Sequence, residues 1–209
     1  SPSRSGETPR DVLGGTTGTL VVDAYTGYHC VTGPSQRKRA GCMAHVRRKF
    51  FDALKTGHKE AQAALDYILE LYHVEHDAKA EGLTRKPEHL ALRKARAGPV
   101  METFHEWLEE NNGRYMPKGA MGNAINHALK NWGALNEFLK SEQIPLDNNE
   151  SEAALRIVAL SRKNSLTVGH DEAGENLARV LTIGATCQMA DVNPLEYLAD
   201  VLLRIQTWP

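Results

Sequence analysis

The sequence predicts a mainly α-helical fold with one small β element. Most of the chain after residue 44 repeats apolar residues every three or four positions, the pattern of helices with one buried face. Only one run near the start, Thr19-Leu20-Val21-Val22-Asp23, is continuous, β-branched and apolar, as a buried strand is. With 209 residues, 41% of them hydrophobic and 24% charged, the chain can bury a core of ordinary globular size.

The elements follow in order. Residues up to Gly18 are rich in Gly, Ser, Thr and Pro and read as loop, with a helical turn near Asp11-Val12-Leu13. The strand at 19–23 is followed by a turn or short helix at Tyr25-Thr26-Gly27-Tyr28. A second short strand is expected over 39–44. From Ala44 to Leu54 a helix carries Val46, Phe50, Phe51 and Leu54 on one side and the basic trio Arg47, Arg48 and Lys49 on the other. Helices are then expected over 60–81, from Pro87 through a kink at Gly98-Pro99 to Asn111, and over 120–139 without a break. Residues 58–140 thus read as an antiparallel helical subdomain. Beyond it come a helix after Asn149, an extended piece at 166–168, a helix over 175–188, and a last helix from 195 to 205 started by Asn193-Pro194.

Composition excludes several classes. No apolar run approaches the roughly 18–20 residues of a membrane span. Ser1 to Glu7 has no apolar core, so it is not a secretory signal. The first residue is not methionine, which leads to the expectation of a processed or excised piece. Three scattered cysteines, Cys30, Cys42 and Cys187, fit a reducing cytosol rather than a disulfide framework. Net charge is −1, so contact with nucleic acid must come from local clusters: Arg37-Lys38-Arg39, Arg47-Arg48-Lys49 and Arg162-Lys163.

The richest motif is Ile144-Pro145-Leu146-Asp147-Asn148-Asn149-Glu150-Ser151-Glu152, followed by Arg156 and by Arg162-Lys163-Asn164. Pro145 holds the residue before it extended. Asn149 then suits a helix N-cap, with Glu152 three residues on as the second half of a capping box. Glu152 and Arg156, four apart, share a face, and Lys163 lies about three turns along. An acid and two bases on one face also suit a metal held beside a phosphate backbone. The capping and chemical readings both stand on this segment.

An acid ending a buried strand, a basic helix, a helical stretch and a late helix glutamate together resemble the RNase H-like core of DDE transposases. The local wording is closer still. Asp23-Ala24-Tyr25-Thr26-Gly27-Tyr28, the run Gly41-Cys42-Met43-Ala44-His45-Val46-Arg47-Arg48-Lys49-Phe50, Asp147-Asn148-Asn149 with Glu152, Arg162-Lys163-Asn164 and the loop from Gly169 to Glu175 resemble the insertion-sequence-66 family, in the same order. Two positions depart from the family: Met43 stands where tryptophan is usual, and Ala153 where an arginine usually follows the glutamate.

The resemblance implies a truncated RNase H-like α/β core carrying an all-helical insertion. Residues 1–57 would hold the second acid and the basic helix, 58–140 the insertion, and 141–209 the third acid and the end helices. It implies metal-dependent cleavage and joining of DNA strands with Mg²⁺ or Mn²⁺ on carboxylate oxygens. Asp23 and Glu152 would be catalytic acids and metal ligands. Arg47, Arg48, Lys49, Arg156, Arg162 and Lys163 would contact DNA, and Asn148 and Asn149 would position it. The first acid of such a triad has no counterpart here; Asp11 is the only aspartate before Asp23 and lies in loop-like sequence. The chain alone is therefore expected to be inactive. Its expected partners are transposon-end DNA and, through an uncovered sheet edge, a second copy of itself. Its expected setting is the bacterial cytoplasm, on the nucleoid when acting. The rival expectations are a non-catalytic helical module binding DNA or a transposase, and a vestigial truncated transposase.

No zinc is expected. Cys42 and His45 have C-x-x-H spacing, but no second ligand pair follows; His29 and Cys30 could in principle complete the four, yet a buried cysteine and a helix-start histidine are the commoner reading. A His29-Cys30 nucleophile dyad is not expected, since adjacent residues on extended chain point apart. His73 and His76, beside Glu75 and Asp77, read as the solvated face of a helix.

Overall fold

The computed structural model describes residues 6–33, 36–164, 169–205 and 207, and for 157–164 the backbone alone. The extended piece expected at 166–168 lies outside the described residues, as do the side chains of Arg162 and Lys163. Chain contacts divide the molecule into two compact units, one ending at Asn148 and the other starting at Asn149.

In the first unit, the short helix Glu7–Leu13 (α1) leads to the β-branched run, which forms strand Thr19–Val22 (β1). It pairs in parallel with Lys38–Gly41 (β2), Thr19 opposite Lys38 and Val22 opposite Gly41. Parallel strands need a crossover rather than a tight turn. Here the crossover contains the 3₁₀ helix Thr26–Val31. The second strand is shorter than expected. It ends at Gly41, because Cys42 is the extended cap of helix Met43–Lys55 (α2).

The sequence period of α2 sets the core. Met43, Val46, Phe50 and Ala53 fall on one face, and all are buried. They meet Ala61–Ala80 (α3), which buries Ala61, Ala64, Ile68, Leu71 and Val74. Phe104 on Gly98–Asn111 (α5) completes the centre, stacked on Tyr67 at 5.5 Å and edge-on to Phe50 at 6.2 Å. Burying each such ring contributes about 1.5–3 kcal/mol. Ala40 of β2 belongs to the same core as these helices and as Ile144 and Leu146, so strand, helices and the segment before Asp147 pack as one body.

The kink expected at Gly98-Pro99 takes a particular form. Pro87–Leu92 (α4) runs into α5 through a π-helical turn, Arg93–Ala97. Pro99 has no amide hydrogen, so an α-turn ending there would leave a carbonyl unmatched; the wider turn absorbs the defect. That turn buries Arg93 to 1% exposure. Its Nε and Nη2 each donate to Glu75 at 2.7 Å, and Nη1 donates to the carbonyls of Phe138 (3.1 Å), Ser141 (3.1 Å) and Ile144 (2.8 Å). The guanidinium also lies over the Phe138 ring at 5.5 Å. Glu75 is therefore a buried anchor's counter-ion, whereas its neighbours His73 and His76 are exposed.

The unbroken helix expected over 120–139 is not formed. It divides into Ala120–Lys130 (α6), Trp132–Leu135 (α7) and the 3₁₀ turn Glu137–Leu139. Asparagines make the breaks: Asn131 donates its side-chain amide to His127 O at 2.7 Å, and Asn136 to Trp132 O at 2.9 Å. Each competes for the carbonyl that the next helical amide would use. The corner has a purpose in packing. A Cβ on Gly41 would lie 2.9 Å from Leu135 Cδ2, so α7 approaches β2 as only glycine permits.

The second unit contains Asn149–Asn164 (α8), Asp171–Met189 (α9) and Pro194–Arg204 (α10). As the sequence indicates, Asn193 caps α10, its side-chain oxygen accepting from Leu195 N at 2.9 Å. Among the described residues, no helix is long and apolar enough to cross a membrane.

Candidate acid site at the strand end

Asp23 follows the last residue of β1, at the carboxyl end of a parallel pair, where α/β sheets place ligands. It is half-buried, and its Oδ1 accepts the Tyr25 amide at 3.0 Å, which fixes the carboxylate. Arg39 from β2 braces the same point. Its Nη2 donates to Asp23 O at 2.8 Å and to Asn131 Oδ1 at 3.4 Å, while Nη1 lies 3.3 Å from His29 Nε2.

His127, on α6 one turn before Asn131, faces this group. Burial, then the charges of Lys49, His45 and Arg39, push its pKa down to about 4, with Asp23 pulling the other way. His127 is thus neutral at neutral pH, amid a carboxylate and several cationic groups. His45 and Lys49 reach it from successive turns of α2. An acid, an arginine, a lysine and three imidazoles drawn together by two strands and two helices suit a phosphodiester better than an apolar ligand.

The other expected residues fall as follows. Arg47 and Arg48 are exposed on α2, and Lys49 is half-buried toward His127. Arg47 lies 6.0 Å from the exposed Phe51 ring, and Lys55 Nζ 4.5 Å from it. The cluster at 37–39 serves structure instead. Arg37 donates to Thr16 Oγ1 at 2.7 Å, Lys38 pairs with Glu137 at 2.7 Å, and Arg39 makes the brace above. Asp147 accepts the Tyr72 hydroxyl at 2.7 Å, tying the chain before α8 to α3. Burial raises the Tyr72 pKa, and this bond to Asp147 raises it further. Burial likewise raises that of Cys42, against backbone amides of Asn148, His45 and Ala44. Asn148 is half-buried; its Oδ1 is enclosed and accepts no hydrogen bond among the described residues.

In the second unit, Asn149 is the first residue of α8, and Glu150 and Glu152 occupy its first turn, where acids stabilise a helix start. Glu152 and Arg156 are exposed. Arg162 and Lys163 lie on the last turn of α8.

Asp23 and Glu152 offer oxygen donors of the kind hard divalent cations take. Among the described residues, no three His, Cys, Asp or Glu side chains are grouped to hold a metal ion. The donor type fits a divalent cation; the number of donors does not make a complete cage.

Sequence reasoning noted Arg39 only as part of a charge cluster, and missed His127 and Asn131. The available signal was the i, i+4 pair His127 and Asn131, polar residues within an otherwise apolar helical pattern.

Comparison with known proteins gives relatives over nearly the whole chain. The chain is 32% identical to the uncharacterised protein y4jD of Sinorhizobium fredii over 98% of its length, and 33% identical to y4hP of the same organism over its full length. It is 35% identical to a third, y4qI, over 94%. It spans about two fifths of the length of these relatives, 41%, 40% and 38%. No solved structure matches. Residues 1–176, which include the strand-end aspartate, the basic helix and the first turn of α8, match the profile described as "Transposase IS66 family", and the chain belongs to that family.

Proposed function

We propose that this chain is the part of a DDE-type transposase that carries the second and third catalytic acids, Asp23 and Glu152, on an RNase H-like core. The observation that carries the proposal is the placing of Asp23 at the carboxyl end of a parallel strand pair, braced by Arg39 and faced by Lys49, His45 and His127. Such a site accepts a phosphodiester: the cations offset its charge, and neutral His127 can donate or accept a hydrogen bond. Asp23 and Glu152 would supply carboxylate oxygens to Mg²⁺ or Mn²⁺, the remaining ligands coming from elsewhere in a longer protein. When bound, a pair of such ions activates the attacking hydroxyl and stabilises the leaving oxygen of an in-line displacement. Arg156, Arg162 and Lys163 would contact DNA from α8, with Asn148 and Asn149 setting the start of that helix.

The test is Mg²⁺- or Mn²⁺-dependent strand cleavage of transposon-end DNA. The chain alone is expected to be inactive, and a full-length protein containing it active. Asp23→Asn or Glu152→Gln in the full-length protein should abolish cleavage while DNA binding persists. Turnover by the chain alone, or cleavage that survives either substitution, overturns the assignment.

A second reading rests on the exposed ridge of Arg47, Phe51 and Lys55, spaced four apart on α2. Together with Arg48 and Lys49 it would make a non-catalytic DNA-binding module. That reading predicts salt-dependent DNA binding indifferent to chelation of divalent metal. Self-association is proposed through β1, whose outer edge has no strand beside it among the described residues. A strictly monomeric species in light scattering at high concentration would count against it.

A further inference from the structure

A cavity of about 390 Å³ lies between α6 and the chain that leaves α5. Its lining includes Asn112, Asn123, Asn126, Lys130, Tyr115 and Ile125. Asn123, Asn126 and Lys130 are three, then four, residues apart, so they form one stripe along α6. Asn112 enters from the residue that caps α5.

The cavity is built by backbone features. Gly113, at φ +80°, reverses the chain after α5. A Cβ on Gly122 would lie 2.2 Å from Met116 O, so only glycine lets the returning chain lie against α6 and wall the cavity. Tyr115 is held edge-on to His58 at 5.7 Å, which fixes its ring.

Much of the polar lining is open to solvent: Asn112, Asn123 and Lys130 are exposed and Asn126 is half-buried. Asn111, deeper in the wall, uses its amide on Trp107 O at 2.8 Å. The side-chain amides of Asn112, Asn123 and Asn126 make no hydrogen bond among the described residues, and Lys130 makes no ion pair there. Three amides present both donors and acceptors, beside one cation, a fixed aromatic ring and an apolar floor at Ile125. Amides match the mixed donor and acceptor edge of a nucleobase. An aromatic ring matches its face. A single lysine matches one phosphate. The volume admits one nucleotide and no more.

We infer that this cavity binds a single unstacked nucleotide, its base edge on the asparagines of α6 and α5 and its phosphate on Lys130. The inference rests on the reading of the chain as a DNA-handling protein for the source of that nucleotide, an unpaired base extruded from a duplex. A free mononucleotide offers the same chemistry.

The test uses the full chain and three probes: adenosine 5′-monophosphate, a duplex with one unpaired 2-aminopurine, and the same duplex fully paired. Affinity for the unpaired-base duplex should exceed that for the paired one at least tenfold, with a change in 2-aminopurine fluorescence. The double substitution Asn123→Leu with Asn126→Leu, and separately Lys130→Gln, should remove that preference and leave paired-duplex affinity within twofold. Circular dichroism establishes that each variant folds, and Lys130→Gln, at an exposed position, guards against misfolding of the double variant. Saturable binding of the mononucleotide that is lost in both variants, with no preference among duplexes, supports the site and names a free nucleotide as its occupant. Equal affinity for the two duplexes with no mononucleotide binding overturns the inference and leaves the DNA-handling reading standing. Binding of none of the three probes overturns both.

Discussion

Replacing Arg93 by methionine should destabilise the first unit more than any other single change away from the aromatic core. The guanidinium is 1% exposed and makes five hydrogen bonds, two to the Glu75 carboxylate and three to the carbonyls of Phe138, Ser141 and Ile144. Methionine fills much of the volume but donates nothing. Glu75, at 22% side-chain exposure, keeps only the His89 imidazole, whose Nε2 lies 3.3 Å from its Oε2, in place of a bidentate guanidinium. Breaking a buried pair in this way costs about 3–5 kcal/mol. The three carbonyls lose a charged donor, and those of Phe138 and Ile144 were bonded to it in buried surroundings. A cost of roughly 4 kcal/mol corresponds to a fall in melting temperature of about 8–16 °C for a chain of this size. Urea unfolding of Arg93→Met, Glu75→Leu and the double variant measures it. The double variant should cost about 2 kcal/mol less than the sum of the single costs, because removing Glu75 removes the orphaned charge. Arg93→Lys should also be destabilised, since an ammonium cannot span both carboxylate oxygens and the three carbonyls. A cost below about 1 kcal/mol for Arg93→Met, or strict additivity in the double variant, would refute the reasoning.

Three further outcomes follow from the geometry. Gly41→Ala puts a methyl 2.9 Å from Leu135 Cδ2 and should cost about 1–3 kcal/mol in thermal unfolding, partly restored by Leu135→Ala. Burial pushes the Glu137 carboxyl up, but Lys140 and Lys38 outweigh it and hold the pKa below 4.5, so this group stabilises the fold above that pH and loses its contribution as pH falls through its folded value. Glu137→Gln should accordingly be less stable than the parent at pH 7, with the gap closing below about 4.5. His127 has a folded pKa of about 4 against the usual 6.5, so its contribution is complete above 6.5 and is lost as pH falls toward 4; His127→Gln should flatten stability across that window, and the imidazole proton shifts should report the low value directly.

Where backbone chemistry is local, the sequence told the fold. The run at 19–22 could only be a strand, and Asn193-Pro194 could only start a helix. The apolar period of α2 found Val46 and Phe50 but misplaced its face by part of a turn: Phe51 is exposed and Leu54 half-buried, while Met43 and Ala53 are buried instead. The failures came where a side chain acts on distant backbone. Asn131 and Asn136 fit helical periodicity as well as any polar residue, yet their amides turn back on carbonyls four residues earlier and break the helix. Arg93 goes unnoticed in the sequence, because nothing near it there shows that Glu75 and three carbonyls await it. The candidate site divides the same way. Asp23 was legible from its place after an apolar strand, whereas Arg39 was hidden among three adjacent cations, and His127 inside a helix whose apolar residues alone were read.

The parallel pairing of β1 with β2 is a weak point of the fold. Among the described residues the sheet has these two strands alone, and β1 buries only Val22, whereas α2 buries Met43, Val46, Phe50 and Ala53. Segments with few buried contacts open locally before the whole molecule does. The amides of Thr19 to Val22 should therefore exchange with solvent through an opening that leaves the helices intact, at lower free energy than those of Val46 to Ala53. Asp23 sits at the end of this readily opened strand, so slower exchange in β1 on adding DNA and a divalent ion would report occupation of the acid site without any turnover.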